Sequence, residues 1–251
     1  MITIFNTETA HKYGDIFPRF LACRYQQFVE REGYDVPVYN RMEFDQYDTP
    51  AAIYLAHKNE AGEIKAGLRL LPTNRPYMTQ ELWPQAVQNV TMPQRADVWE
   101  TTRFFMDTRD KSLDVQKAHG EILCAMLEFA LHCGIKNYIG VAPKQLWRHT
   151  VRKCGWPAAP VGEPVEIGFS EKIQSCIIDV SHEILGNVRT KMGIAAPVFS
   201  NLSALINKAV LMSDKNAYIL SDSSVVTKAG AALPRREDRT SPVKERQLAV
   251  A

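Results

Sequence analysis

Two hydrophobic periods take turns along the chain. Short runs of β-rich residues alternate with longer stretches in which apolar residues recur every three or four positions. Ile2–Phe5 reads as a short strand. From Asp15 to Arg31, Phe17, Phe20, Leu21 and Phe28 fall on one helical stripe, and Gly33 supplies a stop. The segment from Tyr34 to Pro50 has no clean period and reads as an ordered loop. Ala52–His57 and Ile64–Leu71 flank Ala61-Gly62 and predict a hairpin. Val98–Met106 predicts a central strand. Val115, Ala118, Ile122, Met126, Phe129 and Cys133 predict a long amphipathic helix closed by Gly134. Lys136–Val141 reads as a strand, and Pro143 opens a helix to about Cys154. A late strand over Ile173–Val180 precedes a helix over His182–Lys191, and a further helix is expected over Leu202–Met212.

Beyond about Asp222 the chain turns rich in Ser, Lys, Arg and Pro and loses periodicity. This predicts one domain over 1–221 and a poorly ordered tail over 222–251, with no internal repeat. Strands alternating with helices predict an α/β fold with helices covering the sheet. The early hairpin makes that sheet mixed.

Composition narrows the function classes. The chain has 251 residues, 45% hydrophobic and 23% charged, with a formal net charge of +2. Those values suit a globular core and are too mild to argue for nucleic acid. Cys23, Cys124, Cys133, Cys154 and Cys176 are scattered, with no ligand spacing, which suits reduced thiols in a cytoplasmic protein. No secretory signal and no apolar run of membrane-spanning length is visible. The P-loop, GxGxxG, HExxH and nucleophile-elbow patterns are all missing, and the six histidines show no ligand pairing. Neither a metal nor a covalent enzyme intermediate is expected.

Several charges sit where apolar residues belong. Arg24 lies on the apolar stripe of the first helix, so it must reach water, an ion-pair partner or a ligand. Asp45 and Asp48 are candidate partners, sharing one face if their segment is helical; a solvated turn is the plainer reading. In the second hairpin strand, Ile64, Ala66, Leu68 and Leu70 point one way, and Lys65, Gly67, Arg69 and Leu71 the other. Glu100 and Arg103 interrupt the strand Val98–Met106. In a regular strand they face opposite sides; a β-bulge between them would bring both to one site. A mutual salt bridge that only stabilises the strand is the alternative. Lys144, Arg148 and Arg152 recur every fourth residue on the Pro143 helix with no acid among them. That stripe is either a solvated face or a dock for an acidic partner or phosphate.

Taken in order, these residues resemble the LuxI-type autoinducer synthases, which make N-acyl-homoserine lactones. The resemblance rests on Arg24 with Phe28, Glu43-Phe44-Asp45-Gln46-Tyr47-Asp48, Arg69-Leu70-Leu71-Pro72-Thr73 and Trp99-Glu100-Thr101-Thr102-Arg103-Phe104, and extends weakly to Gly155-Trp156. It implies a GNAT-like N-acyltransferase fold, a strongly twisted mixed sheet between helices. It implies S-adenosylmethionine as cosubstrate, no other cofactor, and an acyl donor carried on acyl carrier protein or coenzyme A. Glu100 would then be the base, with Arg103 beside it. Arg24, Asp45, Asp48, Arg69 and Thr101 would order the site, and Phe28, Tyr34 and Phe104 would enclose the cosubstrate. Ala142 stands where some members carry a Thr that favours 3-oxo chains. Lys144, Arg148 and Arg152 would dock the carrier. Tyr34 replaces a common Trp, Thr101 a common Ser, and the tail has no counterpart in the family. An N-acyltransferase with another amine acceptor, or a non-catalytic module that binds acyl carrier protein, are the competing readings. Acyl length and oligomeric state are left open by the sequence.

Overall fold

The computed structural model describes residues 1–110, 113–166, 172–199 and 202. The tail from 222 and all but the first residue of the helix expected over Leu202–Met212 lie outside them. The elements are β1 Ile2–Phe5, α1 Ile16–Arg24, β2 Val38–Tyr39, β3 Met42–Glu43, β4 Ile53–Lys58, β5 Ile64–Pro72, α2 Met78–Leu82, β6 Val98–Met106, α3 Val115–Cys133, β7 Asn137–Pro143, α4 Lys144–Leu146, β8 Ala159–Pro160, β9 Val165–Glu166, β10 Lys172–Asp179 and α5 His182–Met192. The main sheet runs β1-β4-β5-β6-β7-β10-β8, with β9 also paired to β10. Among the described residues only β6–β7 is parallel; the other pairings are antiparallel.

Alternation along the strands divides the core. Leu55, Ala66, Leu68, Leu70 and Trp99 pack beneath α3 and α5. Tyr54, Leu71, Phe105, Ile139 and Val141 pack beneath α1 and α2 with Phe20, Phe28 and Met78. Ile64 departs from the predicted alternation. A register shift between His57 and Lys58 skips Lys65, and Ile64 joins the α1 side. The Asp114 side chain caps α3 by accepting from the Lys117 N–H, and Gly134 closes the helix at φ +71°. That value is in the left-handed region a glycine adopts without strain.

Three other expectations need correction. The helix predicted over Asp15–Arg31 is α-helical only to Arg24; Tyr25–Arg31 continues as a π-helical turn. The Pro143 helix is likewise broken, with a π turn at Trp147–Val151 and a 3-10 turn at Arg152–Cys154 after α4. The supposed loop from Tyr34 to Pro50 contains the small β2–β3 hairpin, whose turn places Asn40 and Arg41 at positive φ. Two-residue strands and single turns carry too few residues for a period to show. Among the described residues, no helix is long and apolar enough to cross a membrane.

Candidate functional site

The candidate site lies where β6 and β7 part. Their parallel pairing holds at only Val98/Asn137, Trp99/Tyr138 and Glu100/Ile139, although both strands run on. On its other edge β6 pairs with β5, and the register slips between Gly67 and Arg69, so that Arg103 and Phe104 together face Leu68. Arg103 sits at φ +54°, a conformation uncommon outside glycine and frequent at functional bulges. A bulge is present at Arg103–Phe104, one of the arrangements the Glu100–Arg103 spacing left open, and both side chains lie on the α1 side of the sheet.

Arg24, Arg69 and Arg103 meet Glu43, Asp45 and Asp48 in one buried cluster. Arg24 donates to Glu43 and, at 2.7 Å, to Asp48. Arg69 grips Asp45 with both terminal nitrogens, at 2.6 and 3.0 Å, and reaches Asp48 at 2.8 Å. Its Nε donates to Thr102 Oγ1 at 3.1 Å. Arg103 donates to Glu43 at 3.1 Å and Asp45 at 2.9 Å. Three guanidinium groups face three carboxylates, so the cluster balances its charge, the condition on which ions survive away from water. Burial opposes ionisation of Asp45 and Asp48, but the guanidinium groups outweigh it and hold both below the usual carboxylate range. Asp45 and Asp48 share this cluster through a turn, not a helix: the Asp48 N–H bonds the Asp45 carbonyl, and an Asp48 oxygen accepts from the Asp45 N–H.

Glu100 is kept apart from these arginines' hydrogen bonds. It is fully buried, and its two oxygens accept the N–H groups of Met78 at 3.0 Å and Thr79 at 2.7 Å, at the start of α2. The proposed salt bridge to Arg103 does not form; Arg103 spends its donors on Glu43, Asp45 and Met78 Sδ. Burial pushes the Glu100 carboxyl up from 4.5 to about 7, with the Thr79 and Met78 bonds and Arg69 opposing. A carboxyl so placed exchanges its proton near neutral pH, as a general base must.

The aromatic candidates line a cleft of about 660 Å³. Phe28 and Tyr34 stack with ring centres 6.2 Å apart, and the Arg103 guanidinium lies 5.5 Å from the Phe28 ring centre. Phe104 faces them. Both π turns contribute walls, Gln27, Phe28 and Arg31 from one and His149 and Thr150 from the other; such turns are rare and gather at functional sites. On the α3 side a second, apolar cavity of about 60 Å³ touches Thr101, Phe104, Ala142 and Trp147. Phe104, Leu146 and Thr150 border both spaces.

The basic stripe is only partly as expected. Lys144 and Arg148 are exposed, but Arg152 is half-buried and donates to the Ala158 carbonyl at 3.1 Å. The π turn widens the spacing, so the i, i+4, i+8 register of a regular helix is lost. None of the three joins the charge cluster.

Sequence reasoning missed three parts of the site. Glu43 is wholly buried between two arginines; its signal was its place at the head of the acidic motif. The short α2, which holds Glu100, has only five residues and no readable period. Tyr47 anchors α2 by donating to Glu81 at 2.7 Å.

Residues 9–188 match the autoinducer synthase family. An acyl-homoserine-lactone synthase of Acinetobacter nosocomialis is 30% identical over 172 residues, covering 66% of this chain and 92% of that protein. The solved structure of MesI, a CoA-dependent acyl-homoserine lactone synthase, superposes with a TM-score of 0.69 at 27% identity, covering 80% of this chain and all of that one. TofI, solved in a ternary complex with an inhibitor and MTA, gives 0.62 at 30% identity, covering 75% and 96%. The mixed α/β fold with helices on the sheet, expected from the resemblance, is the one observed, and it is shared with these synthases. By the extent of the match and by its shared fold, the chain belongs to the autoinducer synthases and is an acyl-homoserine-lactone synthase.

Proposed function

We propose that the enzyme moves an acyl group from a carrier thioester to the amine of S-adenosylmethionine, then closes the product to an N-acyl-homoserine lactone. The observation that carries this reading is Glu100. A buried carboxyl poised near neutrality stands at the last β6–β7 pair, near a balanced charge cluster whose Arg103 lines the apolar cavity.

In the first step the substrate ammonium gives a proton to Glu100, directly or through water. The freed amine attacks the thioester carbonyl. A C–N bond forms, the C–S bond breaks and the thiolate leaves, taking up a proton. Backbone N–H groups at the β6 bulge and the β6–β7 opening are placed to stabilise the oxyanion. Arg24, Arg69 and Arg103, held by Glu43, Asp45 and Asp48, position the methionine part of the substrate. Phe28, Tyr34 and Phe104 enclose its adenosyl and sulfonium parts. In the second step the substrate carboxylate attacks its own γ-carbon. The C–S bond of the sulfonium breaks and methylthioadenosine leaves with the electron pair. Binding of MTA by TofI supports this assignment.

Thr101 and Ala142 line the acyl cavity. Ala142 offers no hydroxyl to a 3-oxo group, so chains lacking that oxygen are favoured. The donor is acyl carrier protein or acyl-coenzyme A, met in the cytoplasm, with Lys144 and Arg148 as its dock; Arg152 contributes mainly to the fold. Purified enzyme given S-adenosylmethionine and an acyl donor should release lactone and methylthioadenosine in equal amounts by mass spectrometry. An amide product without methylthioadenosine would point to a different amine acceptor, and no acyl transfer at all would end the reading.

A further inference from the structure

We infer that this enzyme takes a short acyl group, an alkyl chain of about four to six carbons. The inference rests on the acyl-transfer reading above and adds the size of the group transferred. The cavity between the sheet and α3 encloses about 60 Å³. An apolar cavity of about 150 Å³ admits benzene, so this one holds roughly two or three carbons. The carbonyl carbon and its neighbours would occupy the opening between β6 and β7, which brings the total to about four to six.

The far wall is held in place. Trp147 donates its indole N–H to the Gln174 carbonyl at 2.8 Å, and Trp156 donates to the Asp179 carbonyl at 2.7 Å. Both acceptors belong to β10, so both rings are fixed to the sheet. Trp156 is wholly buried and meets the Tyr138 ring edge-on at 6.2 Å. Tyr138 in turn donates to the Met126 carbonyl at 3.0 Å, fixing the α3 backbone that closes the cavity. Gly140 lets Trp147 lie where it does. A Cβ there would stand 3.3 Å from the Trp147 ring and 3.0 Å from the Thr101 carbonyl. Because both indole N–H groups are engaged, the deep end offers a terminal methyl only apolar contact. A longer chain would have to displace ordered aromatic rings, and packed interiors resist such overfilling.

The test is a donor series of four to twelve carbons, supplied both as acyl-coenzyme A and as acyl carrier protein, with kcat/KM read from lactone formation. Four- and six-carbon donors should be fastest, with at least a tenfold fall by eight carbons, the scale on which a misfitting methylene is discriminated. Met126→Ala removes one wall and should move the optimum two or three carbons upward. Ala142→Val narrows the cavity and should slow the six-carbon donor more than the four-carbon one. If Met126→Ala fails to fold, the wild-type series and Ala142→Val still decide. Equal or better use of ten- or twelve-carbon donors by wild-type enzyme overturns the size inference while leaving acyl transfer intact. No lactone from any donor overturns both.

Discussion

Replacing Glu100 by Gln separates chemistry from stability because the two effects depend on pH in different ways. The carboxyl is raised from 4.5 to about 7 by burial. A raised acid favours the folded state most when protonated. Its contribution is therefore full below pH 4.5 and is lost as pH rises through 7, a span worth roughly 3 kcal/mol. Gln carries no charge and escapes that loss. It also replaces one acceptor oxygen by an NH₂ group. Because the two oxygens of Glu100 serve the Met78 and Thr79 N–H groups separately, one of these N–H groups loses its partner, at about 1–3 kcal/mol. At pH 4 the variant should therefore be less stable than wild type by that amount. At pH 8.5 the two effects should nearly cancel. Catalysis follows the opposite course. Wild-type kcat/KM should climb with pH through a midpoint near 7, as the base loses its proton, while the variant should be slower by about 10²-fold or more above pH 7 and should show no such midpoint. Urea melts at the two pH values, alongside initial rates of lactone release from pH 5.5 to 9, measure both. Near-normal turnover by Glu100→Gln would refute the assignment of the base. An equal loss of stability at both pH values would refute the raised carboxyl.

Three further outcomes are expected. Arg24→Ala and Asp48→Ala should be non-additive in S-adenosylmethionine affinity, with a coupling of about 1 kcal/mol or more because each removal strands a buried charge; additive effects in binding titrations would contradict a single network. Tyr47→Phe frees Glu81 and loosens α2, whose N–H groups oppose the rise of the Glu100 carboxyl; the midpoint of the pH–rate profile should move upward, and an unmoved midpoint would show that Tyr47 only supports the fold. Reversing Lys144 and Arg148 to Glu should raise the KM for acyl carrier protein, most at low ionic strength, and leave S-adenosylmethionine affinity alone; unchanged kinetics with either donor at every salt concentration would make them a solvated surface.

The long elements were legible because their periods are long. The α3 stripe and the β4–β5 hairpin carry enough residues for alternation to show, and the Glu100–Arg103 spacing raised a bulge as one way for two charges in an apolar strand to share a site. What escaped was short or conditional on tertiary contact. Glu43 reads as a surface acid until β2–β3 folds it beneath Arg24 and Arg103. α2 is defined by what its first N–H groups hold, and no side-chain pattern reports that. The π turns keep the composition of ordinary helix, so the evenly spaced stripe of Lys144, Arg148 and Arg152 looked regular when the backbone beneath it was not.

The balanced charge cluster also bears on how the molecule reaches its native state. Its six members come from α1, the β3 region, β5 and β6, and the outermost pair, Arg24 and Arg103, meet through Glu43 and Asp45. Closing such distant segments costs chain entropy before any contact repays it. Any subset that lacks one member leaves an ion out of water without its counter-charge. A half-assembled cluster is thus worse than none, and the pocket should arise in one late, cooperative event. Partially folded chains would then bind no S-adenosylmethionine, and during refolding the gain of binding should coincide with the final phase rather than precede it.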